Sequence, residues 1–507
     1  MENAAQPDPH PHLPDEHEPS ADGRNPAQRV GLLIAVLLLT AIIWSPDWPG
    51  LSAGGTRVAL LTLLMGVLWI TEAIPIPATA LLPLVLLPLM GIAPIRSVAT
   101  PYADPIIFLF MGGFMLALAM ERWNLHRRIA LTIIGSVGTK PRSLVLGFLC
   151  AAAFISMWTS NSATAMMLLP IGVSVYGLLK AGKAGDEIGA ALMLAIAYGA
   201  NIGGMGTLIG TPPNAILKAY MEKTHGVEIG FGQWMLFGVP LVIASLPIIY
   251  LILTRWSFRV ENTEVPGVKE RIAGDRAGLG PMSWPEWAVA GAFLVAGILW
   301  ISREAWAVPA PKDPAAVWPL GALITDEVIA MGVAVLLFFI PAGKSRGGFV
   351  LDWTCMKKMP WDVLILFGGG LSLAAAMERT GLVAALATAL QSMSGWPPLG
   401  IVFLVTAVMI GATALTSNTA TATAFLPVIG ALAIGINQPP LLLCVPVALA
   451  ASADFALPVG TPPNAIAYGS GLITLPRMLR AGLRVDLLFA LLLPLLMWTL
   501  GRWVFGI

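Results

Sequence analysis

The 507-residue chain is 57% hydrophobic and only 11% charged, with a mean hydropathy of +0.80 and a formal net charge of +1. Soluble domains carry about 25% charged residues, so the composition excludes one and indicates an integral membrane protein solvated by lipid on its outside. No basic, aromatic-interleaved patch points to nucleic acid. Cys150, Cys355 and Cys444 lie in or beside apolar segments at no metal-like spacing and read as small hydrophobes.

Residues 1–29 are polar and rich in Pro, Asp, Glu and His, and read as a disordered cytoplasmic tail. They lack the basic and apolar regions of a signal peptide, so the apolar stretch starting near Val30 reads as a retained first helix. His10, His12 and His17 could hold a metal, but such a tail accounts for them more simply.

Apolar runs of about 20 residues, enough for a roughly 30 Å hydrocarbon core, fall near 30–46, 57–75, 77–93, 105–121, 188–220, 232–254, 285–302, 324–341, 361–378, 441–468 and 485–505. Eleven spans are therefore expected. Two further apolar regions, 143–179 and 397–433, carry polar patches at their middles and are too long for one crossing. A re-entrant hairpin with the patch at its tip fits each better. The expected fold is an all-α polytopic membrane protein with two re-entrant hairpins. Its expected divisions are scaffold helices over 30–103, a first repeat over 104–254, a cytoplasmic loop over 255–284, scaffold helices over 285–360 and a second repeat over 361–507.

Most of the 29 Lys and Arg fall on one side if the N-terminus is inside, among them the groups at Arg122–Arg142, Arg255–Arg276, Lys344–Lys358 and Arg477–Arg484. Lys and Arg accumulate in cytoplasmic loops, so the expectation is a cytoplasmic N-terminus and an external C-terminus, in a bacterial inner membrane.

The motifs come in pairs. Thr159-Ser160-Asn161-Ser162-Ala163-Thr164-Ala165 recurs as Thr416-Ser417-Asn418-Thr419-Ala420-Thr421-Ala422, and Gly210-Thr211-Pro212-Pro213-Asn214-Ala215-Ile216 recurs unchanged as Gly460-Thr461-Pro462-Pro463-Asn464-Ala465-Ile466. Phe110-Met111-Gly112-Gly113 with Glu121-Arg122 resembles Phe367-Gly368-Gly369-Gly370 with Glu378-Arg379. These segments lie in expected spans four and nine, an odd number apart, so the second copy crosses in the opposite direction. One binding site built twice about an internal axis is the architecture of a secondary transporter.

The hydroxyl and amide groups of the clusters carry no formal charge, and with backbone N–H groups and helix N-termini they could bind an anion and release it again. Helix-to-helix hydrogen bonding is the alternative use of such residues. The paired prolines must interrupt their helices, and the freed carbonyls, with hydroxyls, would suit Na⁺; a packing kink is the alternative. Glu72, Glu121 and Glu378 sit at span ends and read as orienting or interface residues. Asp454, six residues before Gly460, is an intramembrane acid and so a candidate for cation or proton coupling.

These paired motifs, with Thr71-Glu72-Ala73-Ile74-Pro75 after the second span and Trp361-Asp362 opening the ninth, resemble the divalent anion/sodium symporter family over about residues 30–507. The resemblance implies a homodimeric elevator carrier with no enzymatic activity, Na⁺ as coupling ion in two or more copies, and no organic cofactor. It implies a first sodium site of Ser156, Ser160, Asn161 and Gly210, and a second of Thr413, Thr416, Asn418 and Gly460. The anion would meet Ser160, Asn161, Ser162, Thr211, Ser417, Asn418, Thr419, Thr461 and Pro462. Family members commonly show Thr at position 162, so Ser162 leaves more room. Sodium-coupled import of a four-carbon dicarboxylate such as succinate, malate or fumarate is the expected function, with a sodium/sulfate symporter or a sodium-independent dicarboxylate exchanger as the alternatives.

Overall fold

The structure, a computed structural model, describes residues 26–44, 48, 50–181, 187–306, 323–343 and 347–507. Most of the polar tail, with His10, His12 and His17, lies outside the described residues, as do Arg24, Lys183, Lys312, Lys344 and Arg346. Among the described residues there is no strand, and ten helical segments are long and apolar enough to cross a membrane.

The N-terminal part holds α1 (Pro26–Ile43), α2 (Ala53–Thr71), α3 (Ile76–Ala80), α4 (Leu82–Leu89) and α5 (Ile95–Ala99). The first copy of the repeat follows as α6 (Pro105–Arg122), α7 (Leu125–Val137), α8 (Pro141–Ser156), α9 (Asn161–Ala181), α10 (Glu187–Gly204), α11 (Pro212–His225) and α12 (Phe231–Leu251). Then come α13 (Val268–Ala277), α14 (Trp284–Trp306) and α15 (Asp326–Leu336). The second copy is α16 (Trp361–Arg379), α17 (Leu382–Leu390), α18 (Pro398–Thr413), α19 (Asn418–Gly435), α20 (Pro440–Ala450), α21 (Pro462–Gly469) and α22 (Leu475–Leu496).

The two expected hairpins are α8–α9 and α18–α19, with tight turns at the polar clusters. The two broken helices are α10–α11 and α20–α21. Proline opens six of the helices that matter here, at Pro105, Pro141, Pro212, Pro398, Pro440 and Pro462. Its missing N–H has no intrahelical partner at that position anyway. Pro170 in α9 and Pro427 in α19 each lie nine residues beyond the cluster asparagine, and a π turn follows each copy's last long helix, at Ile252–Trp256 and Met497–Gly501.

Four expected spans are not single full-length helices. The 188–220 run is interrupted between Gly204 and Pro212. The 77–93 run divides into α3 and α4 at Leu81, because Pro83 cannot donate a hydrogen bond back along the helix. The 324–341 run keeps only the 11 residues of α15, and the 441–468 run is interrupted between Ala450 and Pro462. Two amphipathic helices that the sequence pattern did not suggest, α7 and α17, precede the hairpins. They start after left-handed residues at equivalent positions, Asn124 (φ 56) and Gly381 (φ 75), residue types that tolerate positive φ and so allow the sharp turn. The expected 255–284 loop contains α13 and is tied down: Arg142 Nε donates to Val260 O (2.8 Å), and Arg128 pairs with Glu286 (2.7 Å) and donates to Gly280 O (2.9 Å).

The internal symmetry reaches beyond the seven-helix units. Gly112 of α6 lies against the Ala330 backbone of α15, and its repeat mate Gly369 of α16 lies against the Ala80 backbone of α3. A helix preceding each copy therefore packs on the other copy, and only glycine allows this approach. Among the described residues, the buried hydrophobic side chains form two clusters. One spans both hairpins and both broken helices; the smaller joins α1–α4 to one face of α16. Helix α1 buries only Gly31, Ala35 and Ile42 and exposes Leu33, Leu37 and Ile43, as a lipid-facing helix should.

Candidate anion and cation site

Each polar cluster sits at a helix start. In the first copy Ser160 Oγ accepts from Ala163 N (3.2 Å), capping α9, and Thr159 Oγ1 meets Thr164 Oγ1 (2.8 Å). In the second, Thr416 Oγ1 meets Thr421 Oγ1 (2.5 Å). Threonine pairs five residues apart thus brace both tips. Ser160 is exposed, while Ser162, Ser417 and Thr419 are half-buried.

Behind each open tip lies a buried group of oxygens. Ser156, fully buried, donates from Oγ to Asn161 Oδ1 (2.6 Å). The same end of the Asn161 amide also meets the carbonyls of Ala200 (3.1 Å) and Gly210 (3.3 Å). An amide nitrogen turned to that side satisfies two of these three oxygens with its two protons and is the orientation the surrounding hydrogen bonds favour; a cation held there would instead be met by the amide oxygen. The second copy has a surplus of acceptors. Thr413 Oγ1, also fully buried, lies 2.8 Å from Asn418 Oδ1 and 2.7 Å from Ala451 O, yet its single proton can serve only one. Such a ring of neutral oxygens, short of protons, is suited to a monovalent cation.

The structure brings Ser156, Asn161 and Gly210 together, and likewise Thr413 and Asn418. It does not bring Thr416 to the second ring: its hydroxyl donates to Ala412 O (2.8 Å) or meets Thr421 within the hairpin. Position 416 repeats Thr159, whereas the partner of Ser160 is Ser417.

The motif asparagines, which the sequence left without a role, fasten the broken helices. Asn214 Nδ2 donates to Gly204 O (3.1 Å) and Thr207 O (2.8 Å), and Asn464 Nδ2 to Asp454 O (3.1 Å) and Leu457 O (3.0 Å). Part of the carbonyl surplus expected to face an ion is therefore taken up by the motif itself. Thr207 Oγ1 donates to Met157 O (2.6 Å), joining the first break to its hairpin tip.

The two copies meet at their breaks. Asn201 Nδ2 donates to Thr461 Oγ1 (2.9 Å), and Thr211 Oγ1 meets Ser452 Oγ (3.3 Å). Pro462 is exposed beside the buried Thr461. Helices α9, α11, α19 and α21 all begin in this region, and helix N-termini favour negative charge. None of these contacts involves Lys, Arg or His. A cleft of about 670 Å³ runs to Ala163, next to the first tip, between walls that include Leu118, Glu121, Arg122, Met167 and Lys358. Arg122 is held by Asp352 (2.5 Å) and donates to Cys355 Sγ (3.3 Å).

The family described as the sodium:sulfate symporter transmembrane region matches residues 27–507. The chain belongs to the sodium:sulfate symporter family. Relatives include a protein named sodium-dependent dicarboxylate transporter SdcS from Staphylococcus saprophyticus, 43% identical over 493 residues that cover 95% of this chain and 93% of that protein. Another of that name, from Staphylococcus aureus (strain USA300), is 42% identical over 490 residues covering 95% and 92%. The family fold also resembles that of the Alcanivorax borkumensis YdaH transporter (TM-score 0.56, 14% identity, 94% of this chain and 99% of that one). A likeness to Neisseria gonorrhoeae MtrF is similar in extent (TM-score 0.52, 13% identity, 94% and 96%). At these identities the likeness concerns fold alone. As a family member with many apolar helical spans, the chain is an integral multi-pass membrane protein and a transporter.

Proposed function

We propose that this protein imports a divalent organic anion, most simply a four-carbon dicarboxylate, together with sodium ions. The observation that carries the reading is the doubled arrangement behind the tips: a buried cluster of hydroxyl, amide and carbonyl groups in each copy, next to an open hydroxyl and amide surface at a helix N-terminus. Relatives bearing the name sodium-dependent dicarboxylate transporter support it.

Sodium in the ring of Ser156, Asn161 and Gly210, and in the ring of Thr413, Asn418 and the Ala451 carbonyl, would fix the asparagines and hence both tips. Only then do Ser160, Ser162, Ser417, Thr419 and the breaks at Thr211 and Thr461 present their donors together. Without sodium the empty surface cannot gather a dianion, which couples the two. The cleft beside Ala163 gives the first tip a path to water at the face carrying Arg122 and Lys358, the face that charge distribution makes cytoplasmic. The hairpins and broken helices would move as a transport unit against α1–α5 and α14–α15, in an elevator cycle within a homodimer. Sulfate is the second reading, favoured by the family description.

Uptake of radiolabelled succinate into proteoliposomes tests both. Uptake driven by an inward sodium gradient and blocked by malate but not by sulfate is expected. Block by sulfate would favour the second reading, and sodium-independent uptake that requires preloaded dicarboxylate would overturn the sodium assignment.

A further inference from the structure

Among the buried positions at which the two copies differ, one beside the second break carries a carboxylate. In the first copy the residue six before the motif glycine is Gly204, and the space beside its Cα is closed by neighbours. A Cβ there would stand 2.6 Å from Asn161 Oδ1 and 3.0 Å from Gly210 O. That direction leads into the first oxygen ring. In the second copy the residue six before Gly460 is Asp454. Its Oδ2 occupies the place that a Cβ on Gly460 would take, so the carboxylate lies directly against Gly460.

Asp454 is completely buried, and neither carboxylate oxygen has a hydrogen-bond partner. The backbone amides of Ala456 and Leu457 approach it without reaching hydrogen-bond geometry. The nearby acid, Asp486, is occupied in accepting from Phe455 N (2.9 Å) and brings a like charge rather than a counter-ion. The described ion pairs leave Asp454 out. A buried carboxylate with no side-chain partner must either hold a proton or meet a cation, and Ala451, whose carbonyl completes the ring of Thr413 and Asn418, lies three residues before it in the same break.

We propose that Asp454 is an anionic ligand of the second sodium site, so that one of the two sites carries a fixed negative charge and its twin is neutral. The inference rests on the sodium-coupled reading above and adds a ligand and an inequality to it. Ligand charge raises cation affinity, so the second site fills first and empties last, and the first, neutral site sets the sodium concentration at which substrate is captured. Gly460 is required because any side chain there would displace the carboxylate.

The test is sodium-dependent thermal stabilisation of the purified full-length protein without substrate, titrated with NaCl against choline chloride at constant ionic strength. The wild type should gain melting temperature with sodium. Asp454→Asn should move the midpoint of the high-affinity phase up by at least tenfold, and Gly460→Ala, which keeps the charge but takes its place, should do the same. Ser156→Ala should leave that phase within about twofold. A high-affinity midpoint unchanged in both Asp454→Asn and Gly460→Ala overturns the inference while the sodium reading stands. A wild type indifferent to sodium overturns the sodium reading and the inference with it. Should Asp454→Asn fail to purify as a monodisperse protein, Gly460→Ala decides the matter alone, a raised midpoint in support and an unchanged one against.

Discussion

Asn201 of the first broken helix donates through Nδ2 to Thr461 Oγ1 of the second, across 2.9 Å and 260 positions of sequence. The Thr211–Ser452 contact runs the opposite way between the same two breaks. The breaks therefore hold one another, and whatever shifts one tip is felt at the other. Asn201→Ala removes the donor from a fully buried threonine oxygen. An inter-helix bond of this kind contributes about 1 kcal/mol in a membrane protein. Misplacing Thr461 should cost far more in transport than in stability. Uptake at least tenfold below wild type, with a melting temperature only a few degrees lower, is expected; equal losses in both would reduce Asn201 to a packing role.

Asn161 and Asn418 each join a tip to the ring behind it. Asn161→Ala or Asn418→Ala should abolish uptake, by about a hundredfold or more, while surface expression persists. Near-normal uptake by both variants would remove the basis for the site.

Gly112 and Gly369 each bring one copy against the backbone of a helix that precedes the other. A valine at either position drives side-chain atoms into the Ala330 or Ala80 backbone. Overpacking of this kind costs about 1–3 kcal/mol, and here the obstacle is backbone, which cannot rotate away. Thermal unfolding in detergent should show a lower melting temperature for both variants and similar losses, since the two contacts are repeat mates.

Asp352 lies outside the membrane-spanning segments. Hydrogen bonds from Thr354, and then the bond and charge of Arg122, hold its carboxyl below the usual carboxylate range. A depressed folded-state pKa means that the stabilisation is complete above the ordinary aspartate value and is lost as pH falls through the lower, folded value. Asp352→Asn should therefore melt below wild type at pH 7, and the two curves should converge as pH is taken below about 4. A gap that persists at low pH would show that charge is not what ties Arg122 to this loop.

Much of the site was legible because duplication makes short polar motifs stand out from apolar sequence: the tips at Asn161 and Asn418 and the breaks at Pro212 and Pro462 are where the repeats put them. What escaped was of two kinds. Helices α7 and α17, with 13 and 9 residues, are too short for the apolar runs that reveal spans, and their half-apolar faces merge with their surroundings. Asn201 and Ser452 act only through partners some 250 positions away, and nothing local distinguishes them. Thr416 was carried over from motif alignment, which does not say that its hydroxyl is spent inside the hairpin on Ala412 O and Thr421. The carboxylate of Asp454 was visible as a buried charge, but its place against Gly460 required the geometry of the break.

The exchange of α3 and α15 between the copies bears on how the chain is made. When α6 leaves the ribosome, the surface around Gly112 must wait for Ala330, more than two hundred residues later. Such distant closures slow folding. The first half can enter the bilayer during synthesis but cannot finish packing there, so a nascent chain stalled between α12 and α15 should remain open to proteases although every one of its own helices is present.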